Sequence, residues 1–435
     1  MQKRYSFRVT AEIFLYVIFL LFFCNKVCVA ALLKTVGKSY ITLFYTIPFF
    51  ILLFLCLITL KEWRYVLAAF LVYLAVALLF LVTAWIHPEY AEWFAHPSYG
   101  IMPAILSPRG AIWALLVASL LSNDRKIYTL TGITAWVLFI FNTLMFLVAL
   151  RRGYWQIYDL SGAITRAEYS LEFGYEMLFP AAWFGAKFYL EKKFRYLILF
   201  GMVAGMVLLS GSRGSLVWMV VVFPVMVPFK WSKLSRRRRA WFVALILVLL
   251  ASVAIVYIKF EAIIMLIAGI VEKMGLSSRT LKALATGSFS DGNGREEIYE
   301  MAIELIKTGG PFGRGAYGDR YYIGRFYRGG YSHNLFLELL VTFGYVGGPI
   351  VILALFIGVL KAYKACFGDH VRQMLFVAYG VTTCKLMFSY SFWYAQTFWV
   401  MIAFMIRWTR KRTASVLITE YYDRMMNDDI SEPRL

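Results

Sequence analysis

The sequence predicts an all-α, polytopic membrane protein of about 12 transmembrane helices, with one long external loop carrying short helices of its own. Three observations carry that expectation. Of 435 residues, 61% are hydrophobic and only 16% charged, against about a quarter charged in soluble domains. Apolar runs of bilayer-spanning length, roughly 17–25 residues, recur from near the first residues to the last. Basic residues concentrate in alternate connections. A water-soluble globular protein is excluded.

Spans are expected near 12–33, 40–60, 65–86, 101–121, 127–149, 171–190, 195–212, 214–230, 240–258, 334–360, 371–388 and 391–408. Lipid offers the backbone no hydrogen bonds, so each run should be helical. The 101–121 segment follows a stretch with His87, Pro88, His96 and Pro97, and is expected to be partly re-entrant. Lys3, Arg4 and Arg8 precede the first run without a cleavage site, which reads as an uncleaved helix rather than a signal peptide. The five cysteines lie in or beside apolar runs and form neither a disulfide framework nor a zinc pattern. No internal repeat or duplicated half stands out.

The net charge of +20 would suggest nucleic acid in a soluble protein. Here its distribution matters more. Lys3/Arg4/Arg8, Lys61/Arg64, Arg125/Lys126, Lys192/Lys193/Arg195, Lys230 to Arg239, Lys361/Lys364/Arg372 and Arg407 to Arg412 fall on one side. The opposite short loops hold only Lys34/Lys38, Arg109, Arg151/Arg152/Arg166 and Arg213. The positive-inside rule then places both termini in the cytoplasm, and Arg236–Arg239 reads as a cytoplasmic anchor on anionic lipid. The chain divides into helices one to nine over 1–258, an external loop with amphipathic helices over 259–332, the last three helices over 333–408 and a cytoplasmic tail over 409–435.

Chemistry-bearing residues gather on the external side. Arg213, in Gly211-Ser212-Arg213-Gly214 between two spans, is either a side chain snorkelling to headgroups or an anion clamp. A guanidinium holds phosphate oxygens through paired, charge-assisted bonds. Asp291-Gly-Asn293-Gly-Arg295-Glu296-Glu297 reads as a helix start, with Asn293 as cap and Gly309-Gly310-Pro311 as the stop. Ile298, Ala302, Leu305 and Ile306 give that helix one apolar face. Arg295 at its N-terminus suits an anion, or pairs with a neighbouring Glu. The run from Phe312 to Gly330, with Arg314, Tyr317, Arg320 and Tyr321, interleaves basic and aromatic groups that suit sugars and phosphates. Ser332 is read as capping the tenth span, with His333 in its first turn. An imidazole of ordinary pKa about 6.5 can take a proton from a hydroxyl near neutral pH. His87, His96 and His370 are weaker candidates, and no metal-ligand cluster is visible.

Ser212-Arg213, Gly294-Arg295 and Ser332-His333-Asn334-Leu335, with Gly344 and Gly347-Gly348 downstream, resemble the O-antigen ligase and polymerase superfamily of bacterial membrane glycan transferases. The strongest motifs lie between 210 and 348; the N-terminal half is similar in hydropathy alone. The resemblance implies a fold like the GT-C membrane glycosyltransferases. It also implies inverting transfer of a preassembled glycan from undecaprenyl diphosphate to an acceptor hydroxyl, without metal or cofactor. Arg213 and Arg295 would hold the diphosphate and His333 would act as general base. A further arginine contributes from an external loop elsewhere in the family; Arg166, Arg314 and Arg320 are the possible counterparts, with Tyr317 and Tyr321 as additional substrate contacts.

The implied partners are a lipid-linked oligosaccharide donor, a glycan or lipid-linked acceptor, the bilayer, a flippase and a chain-length regulator, and no nucleic acid. The implied location is the bacterial inner membrane, with the site on its periplasmic face and a role in cell-envelope polysaccharide or lipopolysaccharide. The form Ser332-His-Asn-Leu-x-Leu-Glu338 resembles capsule and exopolysaccharide polymerases, which tilts the reading to a repeat-unit polymerase over a ligase. A lipid-linked oligosaccharide flippase is the alternative of another class. It would favour paired repeats and broken helices at the midplane, whereas the polar residues here gather at one face.

Overall fold

The computed structural model describes residues 2–35, 42–59, 63–97, 100–121, 123–158, 164–167, 170–210, 212–231, 295–327 and 330–409, with isolated positions between 237 and 270. Helix α1 (Gln2–Phe23) bends by 81° into α2 (Asn25–Thr35). A π-turn over Thr42–Thr46 leads into α3 (Ile47–Thr59), which packs on α1. The next helix, α4 (Trp63–Ile86), is apolar all round, with Leu67, Phe70, Leu71, Leu78 and Leu81 exposed. An apolar outward face of that length belongs against lipid. After the short α5 (Ala91–Ala95), the 101–121 segment is broken: a π-turn over Met102–Leu106, then turns, then α6 (Trp113–Leu120).

Helix α7 (Asp124–Arg152) starts under an Asn123 cap, whose side chain accepts from the Arg125 N–H at 2.9 Å, and stops at Gly153 in the left-handed region. Two strands then depart from the all-α expectation. β1 (Trp155–Tyr158) and β2 (Ile164–Ala167) pair antiparallel, with Gln156 opposite Arg166. Their anchor is Trp155, whose ring lies 4.8 Å from that of Phe173.

Helix α8 (Leu171–Glu191) is the hub of the core. Ser170 caps it by accepting from the Phe173 N–H at 3.2 Å. Against it pack α7, α9 (Phe194–Leu209) and α10 (Arg213–Met226). The short α11 (Pro228–Trp231) follows α10. Beyond it lie α12 (Arg295–Thr308), α13 (Gly318–Ile323), α14 (Leu335–Ala365), α15 (His370–Thr383), which also packs on α8, and α16 over 396–409. The apolar face read from the sequence is used: Ile298, Ala302 and Leu305 of α12 are buried against Ile323 and Val341.

Helix α14 is not one continuous span. Gly344 interrupts it at φ 78°, ψ −179°. There the 311–315 loop docks on the broken backbone: the Arg314 and Gly315 N–H groups donate to the Val341 and Thr342 carbonyls at 2.8 and 3.0 Å, and the Val346 N–H donates to the Pro311 carbonyl at 3.1 Å. Groups freed by a helix break inside a membrane need such partners. A Cβ on Gly344 would sit 2.3 Å from the Gly313 nitrogen, so only glycine permits the approach.

Among the described residues, α4, α7 and α14 are each long and apolar enough to cross a bilayer; the bent α1–α2 pair reaches that length and hydropathy only when its two halves are taken together. The apolar helices within Leu43–Ile58, Phe194–Leu209 and Gly214–Met226 are shorter. The span expected at 240–258 and the tail beyond 409 lie outside the described residues. At one end of the bundle Asp124 accepts from Arg372 Nε at 2.9 Å and pairs with Arg407, joining the starts of α7 and α15 to the end of α16. Arg213, the first residue of α10, and His333, two residues before α14, lie at the opposite end, where α8 and α16 also begin.

Candidate active site

Arg213 is the first residue of α10, directly after Ser212. Ser212 is buried, and its Oγ lies 2.8 Å from that of Ser215. The turn is seated on α8 so closely that a Cβ on Gly174 would meet the Ser212 Cβ at 2.2 Å. One residue on, a Cβ at Gly214 would stand 2.9 Å from the Tyr175 hydroxyl. The Arg213 side chain lies outside the described groups, so its backbone alone places it beside Tyr175.

Arg295 opens α12 and is half-buried. The cap expected at Asn293, and Asp291 with it, lie outside the described residues. The Arg295 guanidinium acts electrostatically on both Tyr175 and His333. Arg295 thus lies within electrostatic reach of both Tyr175 and His333, and the start of α10 stands against Tyr175.

The local expectation for His333 is corrected. Ser332 does not cap α14, and His333 is not in its first turn. The cap is Asn334, whose Oδ1 accepts from the Phe336 and Leu337 N–H groups at 2.9 and 3.2 Å while its Nδ2 donates to the Met387 carbonyl at 3.1 Å. Ser332 instead donates its N–H and hydroxyl to Asp319 Oδ2 at 3.0 and 3.1 Å. Between these two anchors His333 is held at φ 48°, a conformation that costs a residue with a Cβ about 1 kcal/mol or more. Its ring lies on Tyr331, centroids 3.9 Å apart, and the Tyr331 hydroxyl accepts from the Tyr390 N–H at 2.8 Å. The imidazole Nδ1 has no hydrogen-bond partner among the described residues. Burial first, and the Arg295 charge second, push the His333 pKa down to about 4, with Asp319 opposing and Arg320 adding. At neutral pH the ring is uncharged and able to accept a proton.

Arg320 is placed differently from the other arginines. It is buried and its guanidinium is engaged within the protein: Nη1 donates to Asp319 Oδ1 at 2.8 Å, and Nη2 to Glu338 Oε1 at 3.0 Å and Ser391 Oγ at 2.6 Å. It also lies 4.7 Å over the Tyr317 ring, whose hydroxyl meets that of Tyr394 at 2.7 Å. Arg314 joins α12 to α13 through Thr308 Oγ1 at 2.9 Å and the Tyr322 hydroxyl at 3.2 Å. Tyr321 sits between Tyr90 and the Arg325 guanidinium. Arg166 is exposed on β2, over the Tyr154 ring. Among the described residues, none of Arg166, Arg314, Arg320 and Tyr321 hydrogen-bonds the His333 ring. Among the described residues no three His, Cys, Asp or Glu side chains gather as a metal set.

Tyr175, Asp319 and Ser391 were not singled out by sequence reasoning. The usable signal was an acid inside an apolar run: Glu338, the fourth residue of α14, reaches Arg320 and Ser391.

Residues 197–359 match the family model described as O-antigen ligase. No curated protein matches the chain.

Proposed function

We propose that this chain, a member of the O-antigen ligase and polymerase superfamily through its stretch 197–359, transfers a preassembled glycan from undecaprenyl diphosphate to an acceptor hydroxyl at the outer face of the cytoplasmic membrane. What supports the reading is that the Arg295 charge reaches an uncharged, half-buried His333 and also Tyr175, against which the start of α10 stands.

Arg295, and Arg213 from the neighbouring turn, neutralise the donor's diphosphate. The acceptor O–H gives its proton to the His333 imidazole as its oxygen attacks the anomeric carbon from the side opposite the diphosphate. The new C–O bond forms as the old anomeric C–O bond breaks. The electron pair leaves with undecaprenyl diphosphate, and the anomeric centre inverts. With the leaving group's charge offset by guanidinium, one base is the remaining requirement. Between the two acceptor classes we favour a second lipid-linked repeat, as in a polymerase, because of the Ser332–Glu338 form. The matched model's description favours a ligase.

The test is transfer by purified protein reconstituted with an undecaprenyl-diphosphate oligosaccharide and a chelator, with and without acceptor. No transfer under any acceptor would overturn the reading. The intermediate that accumulates in a His333→Ala strain separates the classes. Single repeats on lipid facing outward mark a polymerase, and finished chains on lipid mark a ligase. Repeats trapped facing the cytoplasm mark a flippase and overturn the reading.

A further inference from the structure

At the same end of the bundle a cavity of 510 Å³ opens between the α1–α2 bend, the turns before α6, α7, α8 and the start of α16. That volume falls within the range of small-ligand sites. Its walls are partly apolar, through Phe23, Leu138 and Phe179, yet its polar groups are not those of a lipid-facing void. Lys26 bonds Glu172 at 3.1 Å and Glu176 at 2.6 Å, and both Lys26 and Glu172 keep about half or more of their side chains open. Lys385 lies 4.2 Å over the Tyr390 ring. Asn142 is only 2% exposed, and its Nδ2 has no acceptor among the described residues.

Ionised groups within an apolar bundle are costly and point to function. A buried amide without a partner is destabilising unless something fills the place. Carboxylates that accept, an amide and an ammonium that donate, and aromatic walls together match one ligand chemistry: a ring that carries several hydroxyls and has one apolar face. The cavity also adjoins the transfer site. Tyr175 lines it and feels the Arg295 charge. Tyr390 lines it and is bonded to Tyr331, on which His333 rests.

We propose that this cavity is a saccharide subsite, holding one sugar ring of the glycan being joined through hydroxyl bonds to Glu172, Glu176, Asn142 and Lys385. The assignment rests on the transferase reading. Donor and acceptor sugars share this chemistry, and the test separates them.

Asn142→Leu is the informative variant. An amide with no role beyond filling space becomes neutral or stabilising when replaced by an apolar group of similar size. An amide that bonds a sugar hydroxyl does not. In nanodiscs, with undecaprenyl-diphosphate oligosaccharide as donor and the oligosaccharide released from it as acceptor, Asn142→Leu is expected to raise one KM by about tenfold without lowering the thermal midpoint. Glu176→Gln, which keeps the side-chain shape, is expected to raise the same KM. A rise in the donor's KM places the donor ring in the cavity, and a rise in the acceptor's places the acceptor ring there. Unchanged KM values for both substrates in both variants overturn the subsite while leaving the transferase reading intact. Wild-type protein that binds the free oligosaccharide in an Asn142-dependent way but transfers nothing keeps the subsite and overturns the transferase reading. Neither binding nor transfer overturns both.

Discussion

Asp319 holds Ser332 twice: one carboxylate oxygen accepts both the Ser332 N–H, at 3.0 Å, and its hydroxyl, at 3.1 Å. The other oxygen is bound by Arg320. A single buried carboxylate thus links the Arg320 ion cluster to the turn that carries His333. Ser332→Ala removes one of the two bonds and leaves the rest of the cluster in place. Misplacing a catalytic group by about 1 Å can cost roughly 10²-fold in rate. We expect kcat to fall by about 10- to 100-fold with little change in donor KM. A fall confined to KM would show that the turn contributes binding rather than position.

Arg320 is expected to behave as a structural residue. Removing one partner of a buried ion cluster leaves the others uncompensated, at a cost of about 3–5 kcal/mol. In Arg320→Ala both Asp319 and Glu338 lose their cation. Arg320→Lys does not rescue it, because an ammonium lacks the planar fork that reaches Asp319, Glu338 and Ser391 together. Thermal unfolding in detergent should place both variants well below wild type. A normal midpoint with lost transfer would return Arg320 to the role of substrate contact.

The largely helical, membrane-spanning character was legible because hydropathy alone marks it, and Arg213, Arg295 and His333 stand out as candidates because each sits in a short local pattern. What surrounds them was not. Ser332 and Asn334 are both good capping residues two positions apart, and the choice is made by Asp319, which occupies Ser332 and leaves Asn334 to cap α14. The Arg320 cluster draws on 319–320, Glu338 and Ser391, which no sequence window brings together. The β1–β2 pair is only four residues per strand, too short for alternation to rise above its aromatic surroundings. The break at Gly344 lies within an apolar run that reads as one helix, and the 311–315 loop that docks on it comes from outside that run.

Gly344→Ala tests that docking. The substitution places a Cβ at φ 78° and against the backbone of Gly313, Pro311 and Gly310, none of which is a flexible side-chain end. A side chain at that φ and ψ, a region essentially reserved for glycine, alone costs about 1–3 kcal/mol. Relief requires the loop to leave the break and expose the carbonyls it satisfies. We expect faster limited proteolysis within 309–316 and reduced transfer. Unchanged protease resistance would mean that the break tolerates a side chain and that the loop is held elsewhere.

The pH dependence of transfer tests the pairing of Arg295 with His333. In the free protein His333 has its pKa pushed down to about 4 by burial and then by Arg295, so the acidic limb of kcat/KM should fall near pH 4, below the usual imidazole range. A bound diphosphate offsets the guanidinium charge. Protonation of the ring then becomes easier, so the acidic limb of kcat should lie at higher pH than that of kcat/KM. Arg295→Gln removes the same positive charge permanently. Its kcat/KM limb should move up from about 4 but stay below the usual imidazole value, since burial, the larger cause, remains, while the rate at the plateau falls by roughly 10²–10³ through loss of a charge donor. His333→Ala should leave a residual rate with no acidic limb. Steady-state profiles from pH 3.5 to about 8, beginning near the free-protein pKa, measured on all three proteins in nanodiscs, decide the matter. An identical acidic limb in His333→Ala would assign the titration, and the base, to another group.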